Sequence, residues 1–289
     1  DSTGDCEVTV YPVFPGIELV YYDVHMQSCD INLAKGREML IITHCQEGRI
    51  EFEYKNGEYL YLASGDLSIQ KNTENIRHRY CPLSHYHGVS VAIDMNRVPR
   101  CFSCILDDVF VSPEELEMKF CSEKPYSIMR ENISIEHIFS ELYSVPENIR
   151  KGYHKVKVLE LLLFLSGLEY KGESEERRYF SRSQVTAAKE AKKYLLAHLD
   201  EHITITELAD MLGISSTSLK ICFKGVYGDT INGYITNCKM QKAASLLKNT
   251  DKSVLEIAGI VGYNNGSKFA GAFRRVMNKS PNENRKSLV

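Results

Sequence analysis

Residues 256–285 have the sequence EIAGIVGYNNGSKFAGAFRRVMNKSPNENR, and this stretch decides how the C-terminal third of the chain folds. Its first half predicts a short helix, because four residues form one apolar face: Ile257, Ala258, Ile260 and Val261. Gly262 follows at the point where the chain leaves that helix, and glycine tolerates the positive φ that such a turn needs. Asn264 and Asn265 are favourable N-cap residues, so a second helix is predicted directly after the turn.

The second predicted helix has an apolar face and a polar, basic face. Its apolar residues recur at helical spacing: Phe269, Ala272, Phe273 and Val276. Its opposite face carries Ser267, Lys268, Arg274 and Arg275. A tight helix-turn-helix with a basic outer face on the second helix is the arrangement that enters the DNA major groove. The alternative is an ordinary helical hairpin.

An upstream copy of the same pattern favours the helix-turn-helix. Residues 207–230 have the sequence ELADMLGISSTSLKICFKGVYGDT, and Glu207 and Gly213 precede Glu256 and Gly262 by 49 positions. After the turn the offset becomes 50, because the second copy has one extra turn residue. The pairs there are Leu219 with Phe269, Phe223 with Phe273, Lys224 with Arg274 and Val226 with Val276. A register that matches across two helices and a turn predicts a duplicated unit within one domain.

The segment between the two copies is predicted to be a spacer helix. Asn232 to Lys248 is amphipathic, contains no proline, and has no glycine after Gly233. A helix of about 16 residues is about 24 Å long at about 1.5 Å per residue. That length suits two recognition helices about one DNA turn, or about 34 Å, apart.

These features together resemble the DNA-binding domain of the AraC/XylS family of transcription regulators, over residues 184–286. The resemblance rests on the Leu-Ala-x-x-Leu-Gly-Ile-Ser run at 208–215, Phe223-Lys224, Lys239, Ala243, Leu246-Leu247, Ile257-Ala258, Val261-Gly262-Tyr263, Phe269, Phe273-Arg274, Ser280-Pro281 and Arg285. Three positions depart from the family pattern: Lys239 stands where arginine is usual, Asn278 where glycine is usual, and Asn284 where an aromatic residue is usual.

The resemblance implies recognition helices that begin near Ser216 and Ser267 and contact DNA. The DNA-binding residues it implies are Ser216, Thr217, Lys220, Lys224, Gly266, Ser267, Lys268, Gly271 and Arg275. Serine, threonine and lysine can bond to phosphate or to base edges. Because Gly266, Ala270 and Gly271 carry little or no side chain, the second helix is expected to rely on phosphate contacts, backbone approach and DNA shape.

Charge is distributed unevenly along the 289 residues. The formal net charge is −3, but residues 184–289 hold 15 Lys and Arg against 9 Asp and Glu, while residues 1–183 hold 20 against 29. The C-terminal part is therefore at +6 and suits a phosphate-facing surface, whereas the N-terminal part is at −9 and does not. No apolar run is long enough to cross a membrane, and no basic-then-apolar signal begins the sequence.

The nine cysteines fit free thiols in a reducing cytoplasm, so a cytoplasmic location is expected. Cys101 and Cys104 form a lone CxxC, whereas a structural zinc site would need two further ligands. A redox switch at this pair and ordinary buried thiols both remain open.

The N-terminal half has the pattern of a β-rich domain followed by helices. Residues 1–15 are predicted to be a polar lead-in, and short alternating segments from 16 to 111 predict strands, with an Asn56-Gly57 hairpin turn. This part resembles the cupin-type barrel that AraC-family regulators often carry, so the expected fold class is α+β. Residues 1–111 are the predicted cupin-like effector-binding barrel, 112–172 a helical appendage, 173–183 a linker, and 184–289 the DNA-binding domain.

The helical appendage is predicted to start at Ser112, as N-cap, with further helices over 134–143 and 150–170. The last of these has apolar residues over more than one stripe, so it is expected to pack on two surfaces. A homodimer contact and packing on its own barrel are both open.

Six residues of the N-terminal half are candidates for contacting an effector. They lie in two groups: His44, Glu47 and Arg49 in one predicted turn, and His85, Tyr86 and His87 near a strand. A metal held by His44, His85 and His87 would resemble cupin enzymes, but the residues after His87 lack the glutamate of that motif. An organic effector, or purely structural histidines, are the other possibilities, and no metal or cofactor is predicted.

The sequence therefore predicts a cytoplasmic, effector-responsive transcription regulator, most simply an activator. Its expected partners are double-stranded DNA, a small-molecule effector, RNA polymerase if it activates, and a second copy of the chain, with no membrane. The alternatives are a metal-dependent cupin enzyme with an accessory helical domain, and a constitutive DNA-binding dimer without a ligand.

Overall fold

The computed structural model describes residues 4–28, 36–71, 76–99, 111–130, 133–170 and 180–286. The chain divides into two compact units, 1–179 and 180–289. The first unit contains an antiparallel sheet with helices, and the second is entirely helical in its described part. The predicted α+β class is therefore confirmed, while the finer boundaries at 111, 172 and 183 stay predictions.

In the described ranges, eight strands form the sheet of the first unit, and β3 is central to it. The strands are β1 (Cys6–Phe14), β2 (Ile17–Val24), β3 (Met39–Tyr54), β4 (Tyr59–Ala63), β5 (Leu67–Lys71), β6 (Ile76–Tyr80), β7 (Tyr86–Asp94) and β8 (Tyr126–Met129). The main order is β1-β2-β7-β3-β5-β8, and the second half of β3 also pairs with β4 and β6. Within the described ranges β1 and β8 do not pair with each other, so the sheet is not closed and a cupin-like barrel is not confirmed.

The prediction of a polar lead-in over residues 1–15 is wrong, because Cys6–Phe14 is strand β1. Two prolines made this stretch look irregular, since proline lacks the N–H that a central strand needs. The strand tolerates Pro12 because β1 is an edge strand that pairs only with β2, and its register shifts between Pro12 and Phe14.

The predicted turn containing His44, Glu47 and Arg49 is also wrong. Met39–Tyr54 is one strand of 16 residues, with a bulge between Cys45 and Glu47 where it pairs with β7. Gly48 follows the bulge at φ +82°, where a side chain would overlap the carbonyl of His85. The bulge bends β3, which allows its two halves to pair with different sets of strands.

Three helices of the first unit bury apolar residues against its sheet. They are α1 (Pro113–Cys121), α2 (Ile133–Ser140) and α3 (Arg150–Gly167), and a 3₁₀ turn at Glu141–Ser144 follows α2. Ser112 caps α1 as predicted, accepting a hydrogen bond from the Glu115 amide at 3.3 Å. One core contains Phe120, Phe139, Leu161 and Leu162 from the helices with Ile42 and Val91 from the sheet. Packing of the appendage on its own sheet is therefore confirmed, and dimerisation stays a prediction.

One strand lies inside the stretch predicted to be helical. β8 pairs antiparallel with β5, so residues 126–129 belong to the sheet. The segment is only four residues long, and its alternation is too short to distinguish from a helix end by sequence.

The described residues of the second unit, 180–286, form seven helices. They are α4 (Arg182–Ala197), α5 (Ile205–Met211), α6 (Ser216–Tyr227), α7 (Ile231–Asn249), α8 (Val254–Ile260), α9 (Gly266–Met277) and α10 (Pro281–Lys286). The prediction of Ser183 as the cap of α4 is wrong by two residues. Ser181 is the N-cap, and it forms a reciprocal capping box with Gln184 that satisfies two backbone donors at the start of the helix.

The sequence repeat is confirmed at the level of hydrogen bonds. Helices α5 and α8 each begin with a capping box, formed by Thr204 with Glu207 and by Ser253 with Glu256. In the turns, the Ile214 amide donates to the Ala209 carbonyl at 3.1 Å, and the Tyr263 amide donates to the Ala258 carbonyl at 2.8 Å. The two motifs therefore share caps and turn geometry as well as apolar positions.

Left-handed residues end the helices of both motifs. Gly213 (φ +66°) and Gly262 (φ +79°) lie in the turns, and Gly228 and Asn278 are the C-caps of α6 and α9. Asn278 adopts φ +56°, which asparagine tolerates better than most residues, so its replacement of the usual glycine leaves the cap intact. No helix in the described parts of the chain has the length and hydropathy to cross a membrane.

The turn glycines should differ in how they tolerate alanine. At Gly262 a Cβ would lie 2.8 Å from the Asp200 carbonyl oxygen, whereas at Gly213 it would meet nothing within 4 Å. Gly262→Ala should therefore destabilise the second unit by more than about 1 kcal/mol, and by more than Gly213→Ala, which adds only backbone strain. The helical control Gly259→Ala, also in open space, should stabilise by about 0.5–1 kcal/mol. Hydrogen exchange at the Phe269 and Phe273 amides measures these changes, and equal effects at Gly262 and Gly259 would contradict the assigned turn geometry.

Candidate nucleic-acid interface and effector region

The second helix of each motif, α6 or α9, is the candidate recognition helix. Each is held by a completely buried apolar face, formed in α6 by Leu219, Cys222 and Phe223 and in α9 by Phe269 and Phe273. Burying a side chain of this size stabilises by about 1.5–3 kcal/mol. This packing fixes which side chains of each helix face outward.

The predicted DNA-binding residues lie on these outward faces. Seven of the nine are exposed, and Ser216 and Gly266, in the first turns, are half-buried. Ser215 caps α6 by accepting from the Ser218 amide at 3.1 Å, and Asn265 caps α9 by accepting from the Lys268 amide at 3.0 Å. The structure thus brings Thr217 and Lys220 together on one helix face, and Ser267 and Lys268 onto the equivalent face.

Both recognition helices carry only positive formal charges. Helix α6 has Lys220 and Lys224, and α9 has Lys268, Arg274 and Arg275, with no acidic residue in either. Charges of one sign on an exposed face suit a phosphate backbone, because their contacts release counterions from DNA. Arg274 is exposed and corresponds to Lys224 in the repeat, so it joins the candidate phosphate-contacting residues.

Helix α7 adds polar residues that the sequence reading missed. An open groove between α7 and α9 is lined by Asn232 and Asn237 together with Lys268, Gly271 and Arg275. The predicted spacer helix is therefore also part of the candidate interface. The signal was present in the sequence, because Asn232, Thr236 and Asn237 fall on one face at helical spacing.

Lys239 has a structural position. Its Nζ lies 5.7 Å from the centre of the Tyr263 ring, and burial lowers its pKa, an effect opposed by the nearby Asp200 carboxylate. A partly buried lysine over an aromatic ring contributes through cation–π attraction. It therefore ties α7 to the second motif.

The six predicted effector residues have different nearest contacts in the structure, and their role stays a prediction. His44 is buried and stacked on Phe139 at 4.4 Å between ring centres, with its Nδ1 3.0 Å from the Tyr143 hydroxyl. Burial lowers the pKa of His44 to about 4, so this imidazole is neutral at pH 7. Its surroundings belong to the apolar core under α2.

Tyr86, Arg49 and His85 have other nearest neighbours than His44. Tyr86 is completely buried, which raises the pKa of its hydroxyl, and Arg49 lies 5.5 Å from the centre of the Tyr61 ring. Burial lowers the pKa of Arg49, an effect opposed by Asp66 and Tyr61. His85 Nδ1 is 3.2 Å from the carbonyl oxygen of Leu83 in its own loop.

Only Glu47 and His87 lie side by side. Glu47 Oε2 is 3.4 Å from His87 Nδ1, and Asp23 and His25 adjoin the other side of the same imidazole. Sequence reasoning missed Asp23 and His25. Their i, i+2 spacing was visible, but their meeting with His87 depends on strand register, which no local pattern specifies.

The predicted CxxC and most of the predicted linker lie outside the described residues. The six cysteines in the described ranges are free thiols. Burial raises the pKa of the Cys45, Cys81 and Cys121 thiols, to about 12 for Cys81 and Cys121, so these three are unreactive structural residues at neutral pH.

Comparison with known proteins assigns the second unit to a class. A family model described as "Helix-turn-helix domain" matches residues 208–287, which covers both motifs and α7. The chain is 31% identical over 153 residues to the Xylose operon regulatory protein of Escherichia coli strain K12, covering 50% of this chain and 39% of that protein. It is 23% identical over 222 residues to the HTH-type transcriptional activator Btr of Bacillus subtilis, covering 73% of this chain and 39% of that protein.

The chain thus matches about two-fifths of the length of these relatives. A solved structure, the C-terminal domain of the response regulator AraT from Geobacillus stearothermophilus, is 31% identical with a TM-score of 0.34, covering 35% of this chain and 84% of that one.

The class defined by the second unit is that of proteins with two helix-turn-helix motifs in one domain. These matches confirm, for the second unit, the resemblance to the AraC/XylS family of transcription regulators. The relatives are named as regulators and not as enzymes.

Acidification should destabilise the first unit through His44. Its folded-state pKa of about 4 lies below the unfolded value of about 6.5, so the unfolded chain binds the extra proton first as pH falls. The stabilisation is present above pH 6.5 and should decrease by about 3 kcal/mol by pH 4. His44→Phe keeps a ring against Phe139 and should flatten this pH dependence, as measured by hydrogen exchange of core amides in β3 and β7. The same slope in the variant would contradict the assignment, and His85→Ala serves as the control that keeps the slope.

Proposed function

We propose that this chain is a sequence-specific DNA-binding transcription regulator whose two recognition helices enter two successive segments of the major groove. The observation that supports this most strongly is the duplicated motif, with the same caps and turn bonds in both copies and an outward face free of acidic residues on each recognition helix. The charge of +6 over residues 184–289 adds attraction for phosphates.

The two recognition helices, α6 and α9, are proposed to make different contributions to DNA binding. Thr217 and Lys220 of α6 have side chains that reach base edges, and lysine pairs with guanine O6 and N7. Helix α9 presents glycine at 266 and 271, so its contribution comes from Ser267, Lys268 and Arg275 on phosphates and from close backbone approach. Helix α6 then discriminates between bases, whereas α9 fixes the register of the protein on the DNA and supplies positive charge.

The first unit is proposed to make DNA binding responsive to a small-molecule effector. The charge of −9 over residues 1–183 disfavours contact of this part of the chain with the phosphate backbone. Activation through RNA polymerase, homodimerisation through α2 and α3, and a cytoplasmic location complete the proposal. Exposed apolar side chains at Ile133 (87% exposed) and Val156 (61% exposed) support the dimer contact.

A constitutive DNA-binding dimer without an effector is the second candidate. It is favoured by the position of His44, which is buried and stacked on Phe139. A screen of metabolites by thermal shift, followed by DNA affinity, separates the two. A compound that changes both the melting temperature and the DNA affinity supports the effector-responsive regulator. A screen that finds no such compound favours the constitutive dimer.

Lys220→Ala and Lys268→Ala should each weaken DNA binding and reduce its dependence on salt. Each lost phosphate contact lowers the slope of log affinity against log salt by about one unit. The measurement is a salt titration of DNA affinity on one selected sequence. Lys248→Ala is the matched control, because Lys248 is exposed but lies 11 residues beyond Asn237 on α7, about 16 Å along the helix. Unchanged slopes for both test variants, or an equal change in the control, would refute the placement of the interface.

Gly271→Ala should have opposite effects on stability and on DNA binding. A Cβ at this exposed helical position meets no protein atom within 4 Å, so the helix should gain about 0.5–1 kcal/mol. If DNA approaches the α9 backbone closely, the added methyl group must reduce DNA affinity. Hydrogen exchange and DNA titration on the same variant measure both quantities. A variant that is more stable and binds DNA as tightly as the parent would disprove close approach at this position.

A further inference from the structure

Three potential metal ligands converge at one end of the sheet in the first unit. His25 Nε2 lies 2.8 Å from Asp23 Oδ1, and His87 Nε2 lies 3.0 Å from the same oxygen. The two Nε2 atoms are 3.4 Å from each other. Two imidazole nitrogens and one carboxylate oxygen therefore point at a common centre.

The sheet itself produces this convergence. Asp23 of β2 is paired directly with His87 of β7 in the antiparallel register. His25 lies two residues beyond Asp23, so it shares the face of Asp23, and its amide is held by the Asp5 carbonyl at 2.8 Å. Two hydrogen-bonded strands, with the residue that directly follows β2, thus form the group without any long flexible connection.

The distances suit a tetrahedral ion. Zinc binds histidine nitrogen at about 2.0–2.1 Å and carboxylate oxygen at about 2.0–2.2 Å, so tetrahedral ligand atoms are about 3.4 Å apart. The observed separations of 2.8, 3.0 and 3.4 Å need an opening of about half an ångström. Asp23 and His25 have more than half of their side chains exposed, so they have room for that adjustment.

Glu47 supplies the outer partner that such a site needs. The bulge in β3 places Glu47 beside His87 on the strand opposite β2, with Oε2 at 3.4 Å from His87 Nδ1. Histidine ligands of metals usually donate their other ring N–H to a carboxylate, which fixes the tautomer. With its proton on Nδ1, His87 directs the Nε2 lone pair toward the common centre.

A cation at the centre would complete this arrangement of ligands. A neutral His87 that donates to Glu47 has its Nε2 lone pair 3.0 Å from the Asp23 carboxylate, where two electron-rich atoms repel. A divalent ion between them converts the repulsion into two bonds. The competing arrangement is a direct hydrogen bond from His87 Nε2 to the Asp23 carboxylate, and it needs no metal.

We propose that Asp23, His25 and His87 bind one divalent transition-metal ion of the zinc type, with water in the fourth position and Glu47 orienting His87. Two imidazoles with one carboxylate favour zinc-like ions over magnesium or calcium, which prefer all-oxygen sites. The bound ion links β2 to β7. The site lies in the first unit and does not depend on the proposed DNA-binding function, so each can fail without the other.

The test is metal binding by the full chain, purified without a polyhistidine tag. Zinc is titrated against a chromophoric chelator, and cobalt substitution reports coordination through its visible absorption. One equivalent per chain is expected, with the intense cobalt bands of a four-coordinate site. Glu47→Gln should retain the site but weaken it by about 10- to 100-fold, as expected for an outer-shell carboxylate.

Variants of the ligands distinguish this site from other ligands in the chain. His25→Ala, His87→Ala and the nearly isosteric Asp23→Asn should each remove the stoichiometric cobalt bands. His85→Ala is the matched control, because its ring contacts the Leu83 carbonyl and takes no part in the cluster, so binding should persist. Melting curves of the metal-free variants that match the parent show that the sheet is intact.

Two results would overturn the proposal. Absence of a stoichiometric ion in the parent protein would favour the direct hydrogen bond between His87 and Asp23. Binding that survives in both His25→Ala and His87→Ala would place the metal elsewhere. If one alanine variant melts early, the test uses Asp23→Asn and Glu47→Gln, because they keep side-chain size. Loss of the cobalt bands in Asp23→Asn and weaker binding in Glu47→Gln are then the expected results, and unchanged binding in both would contradict the site.

Discussion

The packing of α7 against both helix-turn-helix motifs is the interaction on which the proposed function depends. Helix α7 contacts α4 and α6 on the side of the first motif and α8, α9 and α10 on the side of the second. Its buried Met240, Ala243 and Leu247 lie in one core with Phe269 and Phe273. A helix of 19 residues is about 28 Å long, close to one turn of DNA. Because α7 is rigid and held at both ends, the spacing of the recognition helices is set by the protein before any DNA is bound, and little ordering entropy is lost on binding.

The helical unit could be predicted almost completely from sequence, because its determinants are local. Caps such as Thr204 with Glu207, glycines at positive φ and apolar residues at helical spacing all act within a few residues, and the duplication gave each one an independent copy. The exposed faces of α6 and α9 followed from the buried ones. The contribution of Asn232 and Asn237 is not predicted by the sequence pattern, because their place in the groove depends on how α7 packs beside α9.

The presence of most strands could be predicted from the sequence, but the residue pairs between strands could not, for a physical reason. Strand pairing joins residues far apart in sequence, and a bulge such as the one at Cys45 and Glu47 changes the partner of every later residue. His44 and His87 looked like members of one site, yet His44 belongs to the core beside Phe139, and His87 lies with Asp23 and His25. Pro12 made β1 difficult to predict, because proline is tolerated in an edge strand and the sequence does not show which strand lies at the edge. Side chains grouped by tertiary pairing are therefore found only once the register is known.

The most direct test of the central claim is the pattern of protection on DNA. A sequence selected in vitro with the full chain, probed by hydroxyl-radical footprinting and base-contact interference, reports which segments the protein covers. Rigid coupling through α7 predicts two blocks of contacts about one helical turn apart, on one face of the duplex, for each bound chain. It also predicts that five or ten base pairs inserted between the blocks reduce binding to the affinity of a single block. A single block of contacts, or full affinity after a ten-base-pair insertion, would contradict the claim that one domain presents two recognition helices at a fixed spacing.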